Sequence, residues 1–145
     1  MKGAVAECNH VFIKGNNLNE RFENLGENSK FYIGEIGFGI GINFLTTCKS
    51  WLNHAKQNQV LEFYSFDKYL FRLSDFKKLN VSCPDLKEYI SEFELSYPRN
   101  IQGVQKISLF DGRIILNLII GEIDSTQEYI KLMDKVCLLY TSDAA

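Results

Sequence analysis

Glu35, Gly37, Gly39 and Gly41 form the densest group of residues able to hold a ligand in this chain. They lie inside Phe31-Tyr-Ile-Gly-Glu-Ile-Gly-Phe-Gly-Ile-Gly-Ile-Asn-Phe-Leu45. Glycine permits positive φ and lets a ligand approach the backbone with no Cβ in the way. A strand feeding a helix through such a turn aims free N–H groups and a helix dipole at one point, which suits a nucleotide-like ligand. The spacing differs from the dinucleotide fingerprint G-x-G-x-x-G, because the glycines strictly alternate and an acidic residue stands at the strand end. The plainer alternative is a tight glycine turn that holds nothing. Asp67 ends the strand-like segment Val60–Phe66, and a carboxylate at a strand's carboxyl end can accept both hydroxyls of a ribose. Its alternative is a turn or helix cap. Glu122 and Asp124 follow another apolar run ending at Ile120. One of them can face an adenine amino group, and Asp124 reads equally well as an N-cap. Glu35 is placed to meet an amino group; a buried carboxylate without a partner is costly, which favours a ligand or backbone partner.

The elements that must position these residues follow from periodicity. Phe31, Ile33 and Ile36 suit a buried strand. Asn43–Trp51 reads as a helix, with Phe44, Leu45, Cys48 and Leu52 on one face. Val60–Phe66 is a second strand. Leu73–Leu79 reads as a helix, and a further helix opens at Ser82-Cys-Pro-Asp85 and runs to about Tyr97, where Pro98 ends it. Leu86, Ile90, Phe93 and Tyr97 share its apolar face. Val104–Phe110 and Arg113–Ile120 are strands joined through Asp111-Gly112, a strong hairpin signal, giving a β-hairpin at about 104–120. Gly121–Glu128 leads into a helix capped by Asp124 or Ser125, and Val136–Tyr140 begins another strand. Before the first sheet strand, Val11–Ile13 reads as a short strand and Leu18 and Phe22 as one face of a short helix. Strands alternating with helices argue for an α/β sheet with one hairpin inserted.

The 145 residues fit one domain, and 46% hydrophobic with 23% charged residues suits a chain that buries a core. A net charge of -2 and a pI of about 5.7 give no global field for nucleic acid. No apolar run is long enough for a membrane span, and no leader peptide is evident, so no membrane partner is expected. Cys8, Cys48, Cys83 and Cys137 are widely spaced, match no zinc pattern and suit the cytoplasm. No metal is expected. His10 and His54 read as surface residues, and no nucleophile elbow accompanies them. Trp51 and most Phe and Tyr residues read as core. Arg21, Arg72 and Arg113 are scattered and form no basic stripe.

Two resemblances add to this reading. The Glu35-x-Gly37-x-Gly39-x-Gly41 pattern is similar to the first motif of class I S-adenosylmethionine (SAM) methyltransferases. Val11-Phe-Ile-Lys-Gly-Asn16, Leu18, Arg21-Phe22, Gly34–Leu45, the Asp-Gly-Arg113 hairpin and Gly121-Glu-Ile-Asp124 together resemble a particular family. It is the N-terminal methyltransferase domain of the tRNA 5-methylaminomethyl-2-thiouridine biosynthesis proteins (MnmC). The match runs from about Gly3 to about Lys135. It implies a Rossmann-like α/β sheet, SAM as cofactor and tRNA as substrate partner. The implied reaction is methyl transfer to the amine of 5-aminomethyl-2-thiouridine at the wobble position. Carried over residue by residue, the cofactor-binding set is Glu35, Gly37, Phe38, Gly39, Gly41, Asn43, Asp67, Lys68, Glu122 and Ile123; no catalytic residue is assigned.

Bifunctional members carry a second, FAD-dependent domain, and nothing of it is expected here. Two departures matter. Glu122 stands where the family usually has Asp, and the family's Asp-Gly-Phe-x-Pro segment has no counterpart after Val136. Residues 1–136 thus read as a partial methyltransferase domain, with its sheet incomplete at the C-terminal side. Residues 137–145 read as a non-native tail of translated adapter text, in which Asp143 is not the missing aspartate. The expectation is a chain that binds SAM and lacks part of the amine pocket. The rivals are a nucleotide-dependent oxidoreductase and a SAM-binding fragment without catalysis.

Overall fold

The computed structural model describes residues 8–99, 101–121 and 138–141. Its centre is a five-stranded sheet in the order β3-β4-β2-β1-β5. The strands are β1 (Lys30–Ile36), β2 (Val60–Asp67), β3 (Gly103–Leu109), β4 (Ile114–Ile120) and β5 (Leu138–Thr141). β1 pairs in parallel with β2, from Lys30 opposite Val60 to Ile36 opposite Phe66. β2 pairs in parallel with β4, and β5 in parallel with β1. β3 is antiparallel to β4. The chain moves from β1 outward through β2 toward β4, then returns to the other side of β1. The strand order therefore reverses at β1, and a sheet of this kind binds ligands outside the carboxyl ends at such a reversal.

The residues explain the layers. Phe31 and Ile33, Leu61 and Phe63, and Ile114, Leu116 and Leu118 are each at most 4% exposed and share one sheet face. Upon that face lie α1 (Leu18–Glu23) and α2 (Ile42–His54), together with α5 (Lys87–Leu95). Phe22 meets Phe31 at 5.1 Å and Trp51 at 4.9 Å; Phe44 meets Phe63 at 5.1 Å and Phe93 at 5.8 Å. Edge-to-face contacts of this kind add to the area that the rings bury. Trp51 and most aromatics are core, as expected, although Tyr69 is exposed. β2 is buried from Leu61 to Phe66, the signature of a strand covered on both faces. Edge strand β3 alternates instead, with Ile107 and Leu109 inside and Val104, Lys106 and Ser108 outside.

The hairpin forms where expected. Leu109 pairs with Ile114, and Asp111 and Gly112 sit at the tip with φ of 56° and 82°. Two readings differ. Val11–Ile13 is not a strand; it belongs to a π-helical segment, Cys8–Lys14. Asn16 Nδ2 donates to the Phe12 carbonyl at 2.8 Å and Asn17 N–H to that of Lys14 at 3.1 Å, so local bonds replace a ladder. Phe12 and Ile13 are buried in the same core as α2. The helix expected over Leu73–Leu79 is two short pieces, α3 (Leu73–Lys77) and α4 (Leu79–Ser82), broken at Lys78. A 3₁₀ turn at Pro84–Leu86 precedes α5. The expected helix after Gly121, with its Asp124 or Ser125 cap, lies outside the described residues.

Candidate nucleoside-binding site

The loop from Gly37 to Gly41 joins β1 to α2 at the strand-order reversal. Gly37, Gly39 and Gly41 have φ of 91°, 57° and 87°, the left-handed region that residues with a Cβ enter at a cost of about 1–2 kcal/mol. At Gly41 space adds to strain: a Cβ would stand 3.1 Å from the Phe38 ring. That ring is 6% exposed and packs beside Phe44 and Phe93, at 6.0 and 6.2 Å. Phe38 thus anchors the loop in the core.

Two carboxylates hold the loop from different strands. Glu35, fully buried, accepts from Asn43 Nδ2 at 2.8 Å and from Ser65 Oγ at 3.1 Å. Its partners are side chains, where the sequence favoured a ligand or backbone group. Parallel pairing sets Ser65 beside Glu35, and the helical turn that follows the glycines returns Asn43 above it. Burial pushes the Glu35 carboxyl up from 4.5 to about 8; the Asn43 and Ser65 bonds oppose the rise, and the Asp67 charge adds to it. Asp67, at the carboxyl end of β2, accepts from Gly39 N–H at 2.9 Å through Oδ2. Its Oδ1 accepts from Lys68 N–H at 2.7 Å and Tyr69 N–H at 3.5 Å. The strand ends are joined as well: Gly37 N–H donates to the Phe66 carbonyl at 2.7 Å, and Gly121 N–H to the Asp67 carbonyl at 2.9 Å.

The structure therefore brings together Glu35, the three glycines, Asn43 and Asp67, with Lys68 exposed beside them. Glu122 and Ile123 lie outside the described residues. Sequence reasoning passed over Ser65. The available signal was a serine in a buried strand, two residues before Asp67 and so on its face of the sheet. It also passed over Tyr97, whose hydroxyl donates to the Phe71 carbonyl and ties down the segment after β2. Burial, then the Asp75 charge, pushes the Tyr97 phenol up to about 12. His54 bonds Glu23 through Nδ1 at 2.6 Å, away from the loop. Among the described residues no group of three or more His, Cys, Asp or Glu residues is placed to hold a metal, and no helix is long and apolar enough to cross a membrane. Cys48 and Cys83 are buried and free, and burial pushes the Cys48 thiol well up.

Sheet order, glycine loop and strand-end carboxylate define a Rossmann-like α/β fold of the methyltransferase type. A crystal structure of MNMC2 from Aquifex aeolicus has the same fold, with a TM-score of 0.55 at 20% identity, covering 90% of this chain and 36% of that one. Among curated proteins, the chain is similar to the tRNA 5-methylaminomethyl-2-thiouridine biosynthesis bifunctional protein MnmC of Hydrogenovibrio crunogenus, 39% identical over 119 residues. The protein of that name from Marinobacter nauticus is 38% identical over 122 residues. The chain is thus related to the MnmC proteins over 82% of its own length, and it spans only 18–19% of theirs. No family model matches.

Proposed function

We propose that the chain is part of a SAM-dependent methyltransferase domain that acts in tRNA modification. Its reaction is methyl transfer to the primary amine of 5-aminomethyl-2-thiouridine at the wobble position. The observation that carries this reading is the 37–41 loop, left-handed at each glycine and set at the strand-order reversal between Glu35 and Asp67. The names of the MnmC relatives support the tRNA substrate.

The residues fit the cofactor chemically. Glu35 is a buried carboxyl whose hydrogen-bond partners among the described residues, Asn43 and Ser65, are neutral; the ammonium end of the methionine supplies the opposite charge that favours its ionised form, and Asn43 serves the same end. Gly37, Phe38, Gly39 and Gly41 offer backbone along the ligand, and Asp67 accepts the ribose hydroxyls beside Lys68. Glu122 and Ile123 serve the adenine. SAM, when bound, supplies a methyl group made electrophilic by its sulfonium. The chain's own work is then to orient the ligand and keep water out, since an in-line transfer depends mainly on position. The amine must also lose a proton, for which a carboxylate is the suited acceptor.

Calorimetric titration with SAM and, separately, NAD tests the cofactor. The expected result is binding of SAM in preference to NAD; the reverse preference contradicts the reading and favours a nucleotide-dependent oxidoreductase. Transfer of label from methyl-labelled SAM to tRNA carrying the aminomethyl nucleoside tests the substrate. The comparison is between that tRNA and the same tRNA lacking the aminomethyl group.

A further inference from the structure

The Asp67 carboxylate that suits a ribose is already employed. Oδ2 accepts the Gly39 N–H at 2.9 Å, and Oδ1 accepts the Lys68 N–H at 2.7 Å. Gly39 is the middle glycine of the loop, 28 positions away along the chain, so the bond joins the tip of the β1–α2 loop to the end of β2. The loop's other ties lie at its two ends. Gly37 N–H bonds Phe66 on the strand side; Gly41 N–H bonds the Phe38 carbonyl at 3.0 Å on the helix side. Asp67 thus holds the tip by a side-chain hydrogen bond, alongside the buried Phe38 ring next to it. Asp67 is half-buried and solvent reaches it, whereas Glu35 at the loop's base is sealed.

We propose that Asp67 is a latch on the glycine loop as well as a ribose acceptor, so that a nucleoside diol takes the carboxylate from Gly39 as it binds. The proposal rests on the nucleoside-binding reading above for its second half only. A carboxylate has about four lone-pair sites, and the Gly39, Lys68 and Tyr69 N–H groups already take three of them; a diol that donates two bonds must therefore displace a backbone N–H, and Gly39 is the one on the oxygen with a free site. Binding and release of the loop tip are then a single exchange. Asp67 acts here as a positioning residue for the loop backbone.

Amide hydrogen exchange on the full chain without added nucleoside tests the latch. Loss of a charge-assisted bond corresponds to about tenfold or more in local opening. Asp67→Ala should therefore speed exchange at Gly39 by about that factor, while exchange in β4 at Leu116 and Leu118 stays as in the parent. Asp67→Asn, which keeps an acceptor oxygen, should restore part of the protection; this partial rescue separates a latch from general destabilisation. Unchanged Gly39 exchange in Asp67→Ala overturns the latch, as does equal acceleration throughout β4. Adding SAM to the parent chain tests the exchange: the Gly39 amide signal should move toward its position in Asp67→Ala. If calorimetry records SAM binding while that signal stays fixed, the exchange is overturned. If calorimetry records no SAM binding, the proposed function fails, and the ligand-free arm still judges the latch alone.

Discussion

The 37–41 loop and the hairpin tip both run through left-handed backbone, and they manage it differently. The 37–41 loop does so with glycine at every positive φ, held at its base by Glu35 through Asn43 and at its tip by Asp67. The hairpin tip does so with Phe110 at 54° and Asp111 at 56° before reaching Gly112. An aromatic residue in that region is strained. The strain is countered by packing: Phe110 N–H donates to Glu92 Oε1 at 3.0 Å, and its ring lies 5.9 Å from that of Tyr89. The hairpin tip is thus fixed by α5 and has one structural task. The glycine loop carries no Cβ at its left-handed positions, and its tip is bonded to the half-buried Asp67 carboxylate. On the proposed function, the glycine loop keeps its backbone bare for a ligand, whereas the hairpin tip is fixed against a helix by an aromatic residue and holds a sheet.

The largest expected effects break this contrast at the glycines. Gly39→Val should abolish measurable SAM binding in calorimetry, because a branched residue resists φ of 57° and stands where the ligand approaches. Gly41→Ala adds the 3.1 Å approach to Phe38 and should lower stability as well. Gly112→Ala carries strain at 82°, but its Cβ meets only Ser108 Oγ, at 3.9 Å. It should cost about 1–2 kcal/mol in denaturant unfolding and leave SAM affinity unchanged.

Glu35 gives the next effect. Between about pH 4.5 and about 8 the folded chain retains on Glu35 a proton that the unfolded chain has released. Its contribution to stability is therefore full below pH 4.5 and lost as pH rises to about 8, at up to about 1.4 kcal/mol per pH unit. Glu35→Gln should flatten that slope in unfolding curves taken across the window. A slope unchanged by the substitution would place the titration elsewhere.

How far these features could be read from the sequence depends on range. The strand–glycine–helix unit and the Asp-Gly hairpin are local patterns, and both stand where residue spacing puts them. Val11–Ile13 failed because three apolar residues carry no period that separates strand from helix; Asn16 and the core around Phe12 decided it. The break at Lys78 is equally hidden, since five- and four-residue helices fall below the length that sets a clear pattern. The bonds from Asn43 and Ser65 to Glu35, and from Gly39 to Asp67, depend on the β1–β2 register. Each residue was visible as a candidate, or nearly so, but their pairing was not.

Asp67→Ala should weaken SAM binding by about 1.5–3 kcal/mol, the range for a hydrogen bond to a charged group. Released loop restraint offsets part of the loss, so the deficit should lie toward the lower end of that range. Glu92→Ala should have the smallest effect, costing about 1 kcal/mol of stability through the lost Phe110 N–H bond, with SAM affinity unchanged. A loss of SAM affinity in Glu92→Ala would mean that the two turns are coupled through α5.

The most direct test of the central claim is the glycine amide region of a ¹⁵N–¹H spectrum, recorded on the whole chain with and without SAM. Gly37, Gly39 and Gly41 report on one turn, Gly103 and Gly112 on the hairpin. Saturating SAM should move the first three signals and leave the other two in place. Loop signals that stay fixed while SAM binds, or shifts confined to the hairpin, would contradict the central claim.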